Sequence, residues 1–192
     1  MLLPPPIQLL KINRGDNYPD TGGPSCIEDL LTIIVNGIPR AMQPLTHRRK
    51  GAQSLSFTSE YDIQDLLNSQ LRPWISDIRT EEFSPSYAGS NTRMDFLLPN
   101  HNLVIETKRV RNKSHASKVG DELIIDIEHY RRHQLAYHLW CVIYDPELFI
   151  SNPEGLVSDL EGSRSLPDGE INVKVVIVGN QNFRPLKKDK AP

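Results

Sequence analysis

Apolar positions recur along this chain with two periods, one helical and one alternating, and the switches between them set out a series of elements. Ile27, Leu30, Leu31, Ile34 and Val35 fall on one helical face. Ser25-Cys26-Ile27-Glu28 reads as a capping box opening that helix, and Gly37 and Pro39 are expected to end it. A second helix is predicted from Ser59, capped by Ser59 with Asp62, buried along Ile63, Leu66, Leu67 and Leu71, and stopped at Pro73. A third spans Ser117 to Arg132, with Val119, Leu123, Ile127 and Tyr130 at helical spacing. Asn152 to Gly162 reads as a short surface helix.

Strand patterns lie between these helices. Leu55 and Phe57 alternate with serines and predict a short edge strand. Asp77 to Ser84, Met94 to Leu98 and Leu103 to Val110 follow as a compact group, and Pro99-Asn100-His101-Asn102 turns the chain between the last two. Trp140-Cys141-Val142-Ile143-Tyr144 is continuously apolar, as in a strand buried on both faces, and Val173 to Val178 is the last strand. Helix, three strands, helix, strand and final strand imply an α/β protein with a mixed sheet flanked by helices.

Residues 1–45 are expected to form an irregular leader and an accessory helix, whose apolar face must dock on the main domain, on a second copy or on another protein. Residues 40–53 read as a linker carrying the basic knot His47-Arg48-Arg49-Lys50. Residues 46–182 form the main domain, and 183–192 are read as a basic, flexible tail. A chain of 192 residues is long enough to bury a core as one domain with an accessory segment.

Net charge is −2, so bulk charge does not announce a nucleic-acid binder, and the placement of charge must carry that argument. Cys26 and Cys141 lie far apart without metal-like spacing, which points to a reduced, cytoplasmic protein without a zinc site. The opening Met1-Leu2-Leu3-Pro4-Pro5-Pro6 lacks a basic region and is broken by prolines, so it does not read as a signal peptide. No apolar run approaches the ~20 residues needed to cross a bilayer, and no membrane partner is expected.

The candidate chemistry sits on two neighbouring strands. Asp95 lies within Arg93-Met94-Asp95-Phe96-Leu97-Leu98, where a carboxylate is costly without a partner. Glu106-Thr107-Lys108 ends the next strand. Side chains at i and i+2 share a strand face, so Glu106 and Lys108 point one way and Thr107 the other. Asp95 and Glu106 supply the one or two carboxylates that commonly hold Mg²⁺, with the backbone carbonyl of Thr107 as a further ligand. Such an ion assists phosphodiester hydrolysis, and Lys108 beside it can orient a water or stabilise developing charge. Glu60 borders the buried face of the second helix.

These pieces resemble the PD-(D/E)XK nuclease superfamily. The match lies in Glu60 within Ser-Glu-Tyr-Asp-Ile-Gln-Asp-Leu-Leu, Asp95 within Arg-Met-Asp-Phe-Leu-Leu, Glu106-Thr-Lys108, the helix Asp121 to Tyr130, and the strand ending Val142-Ile-Tyr-Asp-Pro146. More narrowly, the chain is similar to restriction-endonuclease-like domains of bacterial antiphage defence proteins. Met94 stands where the family usually has proline. The resemblance implies a restriction endonuclease-like αβββαβ core, here with an extra N-terminal helical segment. It implies a metal site at the fork between two strands, holding Mg²⁺ with Mn²⁺ as a substitute. It further implies that Glu60 reaches the metal or a water on it, and that DNA is the substrate.

On the third helix Lys118, Glu122, Asp126 and Tyr130 follow at i, i+4 spacing. Glu122, Asp126 and Tyr130 are candidates to hold Lys108 in place or to contact the scissile phosphate; the alternative is a solvated charged face. Lys108, Arg109, Arg111, Lys113 and Lys118, with His115, form a run without acidic residues that can track a phosphate backbone. Arg93 is a further candidate contact, on a loop that also carries Tyr87 and Gly89. Arg48 to Lys50 and the pair Arg131 and Arg132 form lesser basic clusters, and His129, His133 and His138 have no catalytic spacing. Two other readings stay open: a silent nucleic-acid-binding or regulatory module on the same fold, and an RNA-directed nuclease.

Overall fold

The computed structural model describes residues 23–83, 93–130, 136–166 and 169–179. The leader to residue 22, the loop bearing Tyr87 and Gly89, the cluster Arg131, Arg132 and His133, and the basic tail lie outside the described residues.

Helix α1, Ile27–Thr46, is longer than its sequence predicts. It runs through Gly37, Pro39 and Pro44 because the apolar stripe continues at Ile38 and Met42, both buried. A proline inside a helix costs about 3 kcal/mol. Burying an isoleucine or methionine returns about 1.5–3 kcal/mol each, so packing offsets propensity. Residues 40–46 are therefore helix rather than linker. Its N-cap is Cys26, whose sulfur accepts from the Asp29 amide at 3.4 Å, while the Ser25 amide donates to the Asp29 carboxylate at 3.2 Å. The cap thus lies one residue later than the sequence pattern places it.

Residues 53–58 form an extended loop rather than an edge strand, tied to α1 where the Leu55 amide donates to the Leu45 carbonyl at 3.0 Å. Helix α2, Glu60–Leu71, starts at the predicted box: the Ser59 hydroxyl and the Asp62 carboxylate each accept the other's amide.

Strands β1 (Arg79–Phe83), β2 (Arg93–Leu98) and β3 (Leu103–Arg109) form an antiparallel meander, with a 3-10 turn at Pro99–His101 between the last two. The short helix α3, Lys113–Ala116, carries no apolar periodicity to announce it, and α4 follows at Val119–Tyr130. Strand β4 (His138–Tyr144) lies parallel to β3. Helix α5 (Pro153–Leu160) then leads into β5 (Gly162–Leu166) and β6 (Gly169–Val178). Strand β5 carries Gly-Ser-Arg-Ser, with no apolar alternation to announce it, and pairs antiparallel with β6. The mixed six-stranded sheet has the order β1-β2-β3-β4-β6-β5, with β3, β4 and β6 mutually parallel.

Two cores cover its faces. On one face, α1 and α2 pack on Phe96, Leu98, Ile105, Trp140, Val142 and Tyr144. On the other, α4 packs with Leu97, Val104, Leu139, Cys141 and Ile143. Strand β4 feeds both alternately, which is why it reads as continuously apolar. The stripe of α1 is taken by the protein's own core. No helix among the described residues is long and apolar enough to cross a membrane.

Candidate active site

The sheet opens into a fork where the two candidate strands part. Pairing between β2 and β3 covers only Phe96 with Ile105, Leu97 with Val104 and Leu98 with Leu103. Asp95 and Glu106 are the next residues, just beyond the last pair. Side-chain alternation slips at the same point: Phe96 and Leu98 face α1 and α2, yet Met94 and Leu97 both face α4. The slip turns Asp95 toward α2.

There its Oδ2 accepts the Thr107 amide at 2.8 Å and the Thr107 hydroxyl at 2.5 Å. Gln64 of α2 donates to the Thr107 hydroxyl oxygen at 3.1 Å. Burial raises the Asp95 carboxyl above its ordinary range, opposed by the Thr107 hydrogen bonds and the charge of Lys108.

Glu106 faces α4 and is 4% exposed. Tyr130 donates to its Oε2 at 2.5 Å, and Lys108 donates to its Oε1. Lys108 also pairs with Asp126 at 2.8 Å. Burial, then the charge of Asp95, pushes the Glu106 carboxyl up to about 8 against the pull of Lys108. The two carboxylates beside Lys108 raise its pKa against the effect of burial, so its ammonium stays protonated. Burial, then Glu106, raises the Tyr130 phenol and keeps it a donor.

Glu60 approaches from the first turn of α2, where its Oε2 accepts the Arg109 amide at 3.2 Å. Burial raises its carboxyl, Lys108 lowers it and Asp95 raises it again. Asp95, Glu106, Lys108 and Glu60 are thus drawn from two strands and a helix into one electrostatic neighbourhood. Among the described residues no group of three or more His, Cys, Asp or Glu side chains is arranged to hold a metal ion. The donor chemistry nevertheless suits a hard divalent cation, because these carboxylates are buried and raised in pKa, a state that a cation relieves.

The i, i+4 series on α4 separates by geometry. Each four-residue step overshoots a full turn by about 40°, so the stripe curls around the helix. Lys118 is exposed, Glu122 keeps 43% of its side chain in solvent, Asp126 keeps 18%, and Tyr130 is fully buried. Asp126 and Tyr130 therefore meet Lys108 and Glu106, whereas Glu122 pairs with His115 at 3.3 Å. His115 is buried, with its Nδ1 accepting the Arg111 amide, and does not join the cationic surface. Arg111, Lys113 and Lys118 are exposed and make no ion pair among the described residues. Arg109 is half-buried, its Nε donating to the Phe57 carbonyl at 3.2 Å. Arg93 pairs with Glu81 at 3.0 Å and lies over the Tyr61 ring.

Two contributors had no sequence signal. Gln64 sits at a polar position of α2 that helical spacing alone does not aim, and the Thr107 side chain counted only as facing away from Glu106.

No curated protein and no solved structure matches the chain. The family model for restriction endonucleases of the DpnII-MboI type (REase_DpnII-MboI) matches residues 29–180, from within α1 to just past the end of β6. The chain therefore belongs to the DpnII-MboI restriction endonuclease family, a family of PD-(D/E)XK DNA nucleases.

Proposed function

We propose that this protein is a divalent-metal-dependent endonuclease that cuts DNA phosphodiester bonds in the cytoplasm, in defence against invading DNA. The observation that carries the reading is the Lys108 ammonium, held between Glu106 and Asp126 beside the fork that presents Asp95. Asp95 and Glu106 would hold Mg²⁺, with Mn²⁺ as a substitute and Glu60 reaching the ion directly or through water. The Thr107 amide points into the fork toward Asp95. In an extended strand a residue's N–H and C=O point to the same side, which favours the Thr107 carbonyl as a further ligand. The bound ion would neutralise phosphoryl charge and make a water more acidic.

The chain's own groups do the rest. Lys108 is protonated, so it acts as a fixed cation that orients the attacking water and stabilises charge growing on the phosphate. Asp126 fixes the position of Lys108, and Tyr130 fixes the rotamer of Glu106. Gln64 and Thr107 orient Asp95. Arg93, Arg109, Arg111, Lys113 and Lys118 supply contacts to the DNA backbone. The reading is tested with supercoiled plasmid in Mg²⁺, Mn²⁺ or EDTA: metal-dependent cutting supports it. Salt-sensitive binding without cutting under any condition would favour a silent binding module.

Removing the Tyr130 hydroxyl in Tyr130→Phe takes one donor from a buried carboxylate. Plasmid cleavage is expected to slow about 10- to 100-fold, the range for a hydrogen bond to a charged group. Single-turnover rates at saturating Mg²⁺ check this, and an unchanged rate would remove Tyr130 from the site.

Metal affinity should rise with pH. Below about 8 the Glu106 carboxyl keeps its proton, which an incoming cation must displace, and above that value the cation meets a free carboxylate. Calorimetric Mg²⁺ titrations at pH 6.5 and 8.5 are expected to show tighter binding at the higher pH. The metal-free protein should follow the opposite trend. The folded pKa lies above the ordinary 4.5, so the stability tied to this group is complete below 4.5 and lost as pH rises through about 8. Metal affinity independent of pH would remove Glu106 from the ligand set.

A further inference from the structure

Beside the catalytic fork lies a cavity of about 510 Å³ that none of the chemistry above uses. It opens between the C-terminal end of α1, the loop through Phe57, and the ends of β3 and β4. We propose that this cavity receives one nucleobase of the DNA, from a nucleotide next to the scissile phosphate, and so sets base preference at the cut. The proposal rests on the nuclease reading and extends it to substrate selection.

Position is the first argument. Strands β3 and β4 are parallel and end in register, Arg109 beside Tyr144, and ligands of such sheets collect at the carboxyl ends of the strands. Arg109 belongs to both places. Its amide binds Glu60 at the fork, while its side chain lines the cavity with its Nε on the Phe57 carbonyl.

Lining chemistry is the second argument. Phe57 and Tyr144 line the cavity with aromatic side chains, the residue type on which bases stack whatever their identity. Gln43 and Glu147 add the hydrogen-bonding groups that read base edges. Charge separates base from phosphate. The carboxylate of Glu147 and the negative end of the α1 dipole disfavour a phosphate inside. Immediately after His47, which lines the cavity, come the exposed Arg48, Arg49 and Lys50, placed to take phosphates at the rim.

The test uses the full chain and DNA whose cut position has been mapped by sequencing plasmid ends. Duplexes carrying 2-aminopurine at successive positions around the cut are bound in Ca²⁺ in place of Mg²⁺. Gln43→Trp, an exposed residue of α1 changed so that its side chain fills the cavity, is compared with wild type after its melting curve is shown to be unchanged. A change in fluorescence confined to one position is expected for wild type, and its loss in Gln43→Trp. Cleavage by that variant at the mapped site should slow about 10- to 100-fold, the weight of one base stack, or move to other sequences. The proposal is overturned if wild type cuts but no position changes its fluorescence, or if Gln43→Trp cuts the same site at the same rate. Wild-type protein that cuts no DNA in any metal overturns the nuclease reading itself, a distinguishable failure.

Discussion

Lys108→Ala is expected to reduce metal-dependent DNA cleavage by about three orders of magnitude, the scale for removing a group aimed at transition-state charge. Among the described residues the Lys108 ammonium is the only cation paired with Glu106 and Asp126, and without it those two carboxyl groups are left without a cation in a shielded site. The water and phosphate then lose the charge that positions them. Asp95→Ala and Glu106→Ala should abolish cutting as well, by removing the proposed ligands. Single-turnover plasmid assays with circular dichroism on each variant check this. Folded variants that all cut at the wild-type rate would remove these residues from the chemistry. Metal titration separates the roles, because Lys108→Ala should still bind Mg²⁺, whereas the carboxylate variants should not.

Removing residues 1–46 is expected to unfold the protein rather than free an accessory piece. Helix α1 inserts Ile27, Leu30, Leu31, Ile34, Val35, Ile38 and Met42 into the core that also holds α2 and one face of the sheet. Burial of each is worth about 1.5–3 kcal/mol. Their sum rivals the whole stability of a domain, about 5–15 kcal/mol. Loss of a cooperative thermal transition in the truncated chain is the expected result. A truncated chain that melts and cuts like the intact one would show that α1 is dispensable. Ile38→Asp tests the same point without any truncation by placing a charge in that core, and it should lower the melting temperature sharply.

The fold was legible where one physical signal dominated. The α2 capping box, the apolar stripe of α4 and the two-sided apolarity of β4 each translate directly into an element. Legibility failed where local and tertiary signals conflict. Prolines at 39 and 44 argue against helix, and only the burial of Ile38 and Met42 overrides them. Strand β5 lacks an apolar pattern because the backbone pairing with β6 holds it. In the site, i and i+2 spacing put Glu106 and Lys108 on one face, and the helical series supplied Asp126 and Tyr130. The contact between Gln64 and Thr107 joins residues 43 positions apart, which no periodicity encodes.

The fork also shapes how this enzyme can lose its activity over generations. Where β2 leaves β3, the Thr107 amide has no strand carbonyl opposite it and is satisfied by the Asp95 carboxylate. One oxygen thus completes the backbone of the sheet as well as serving the proposed chemistry. An inactivating change at Asp95 strands a backbone donor in a shielded place, at a cost of about 1–3 kcal/mol. Inactive descendants of this chain should therefore retain Asp95 more often than Lys108, and a decayed copy would carry its scar on the lysine.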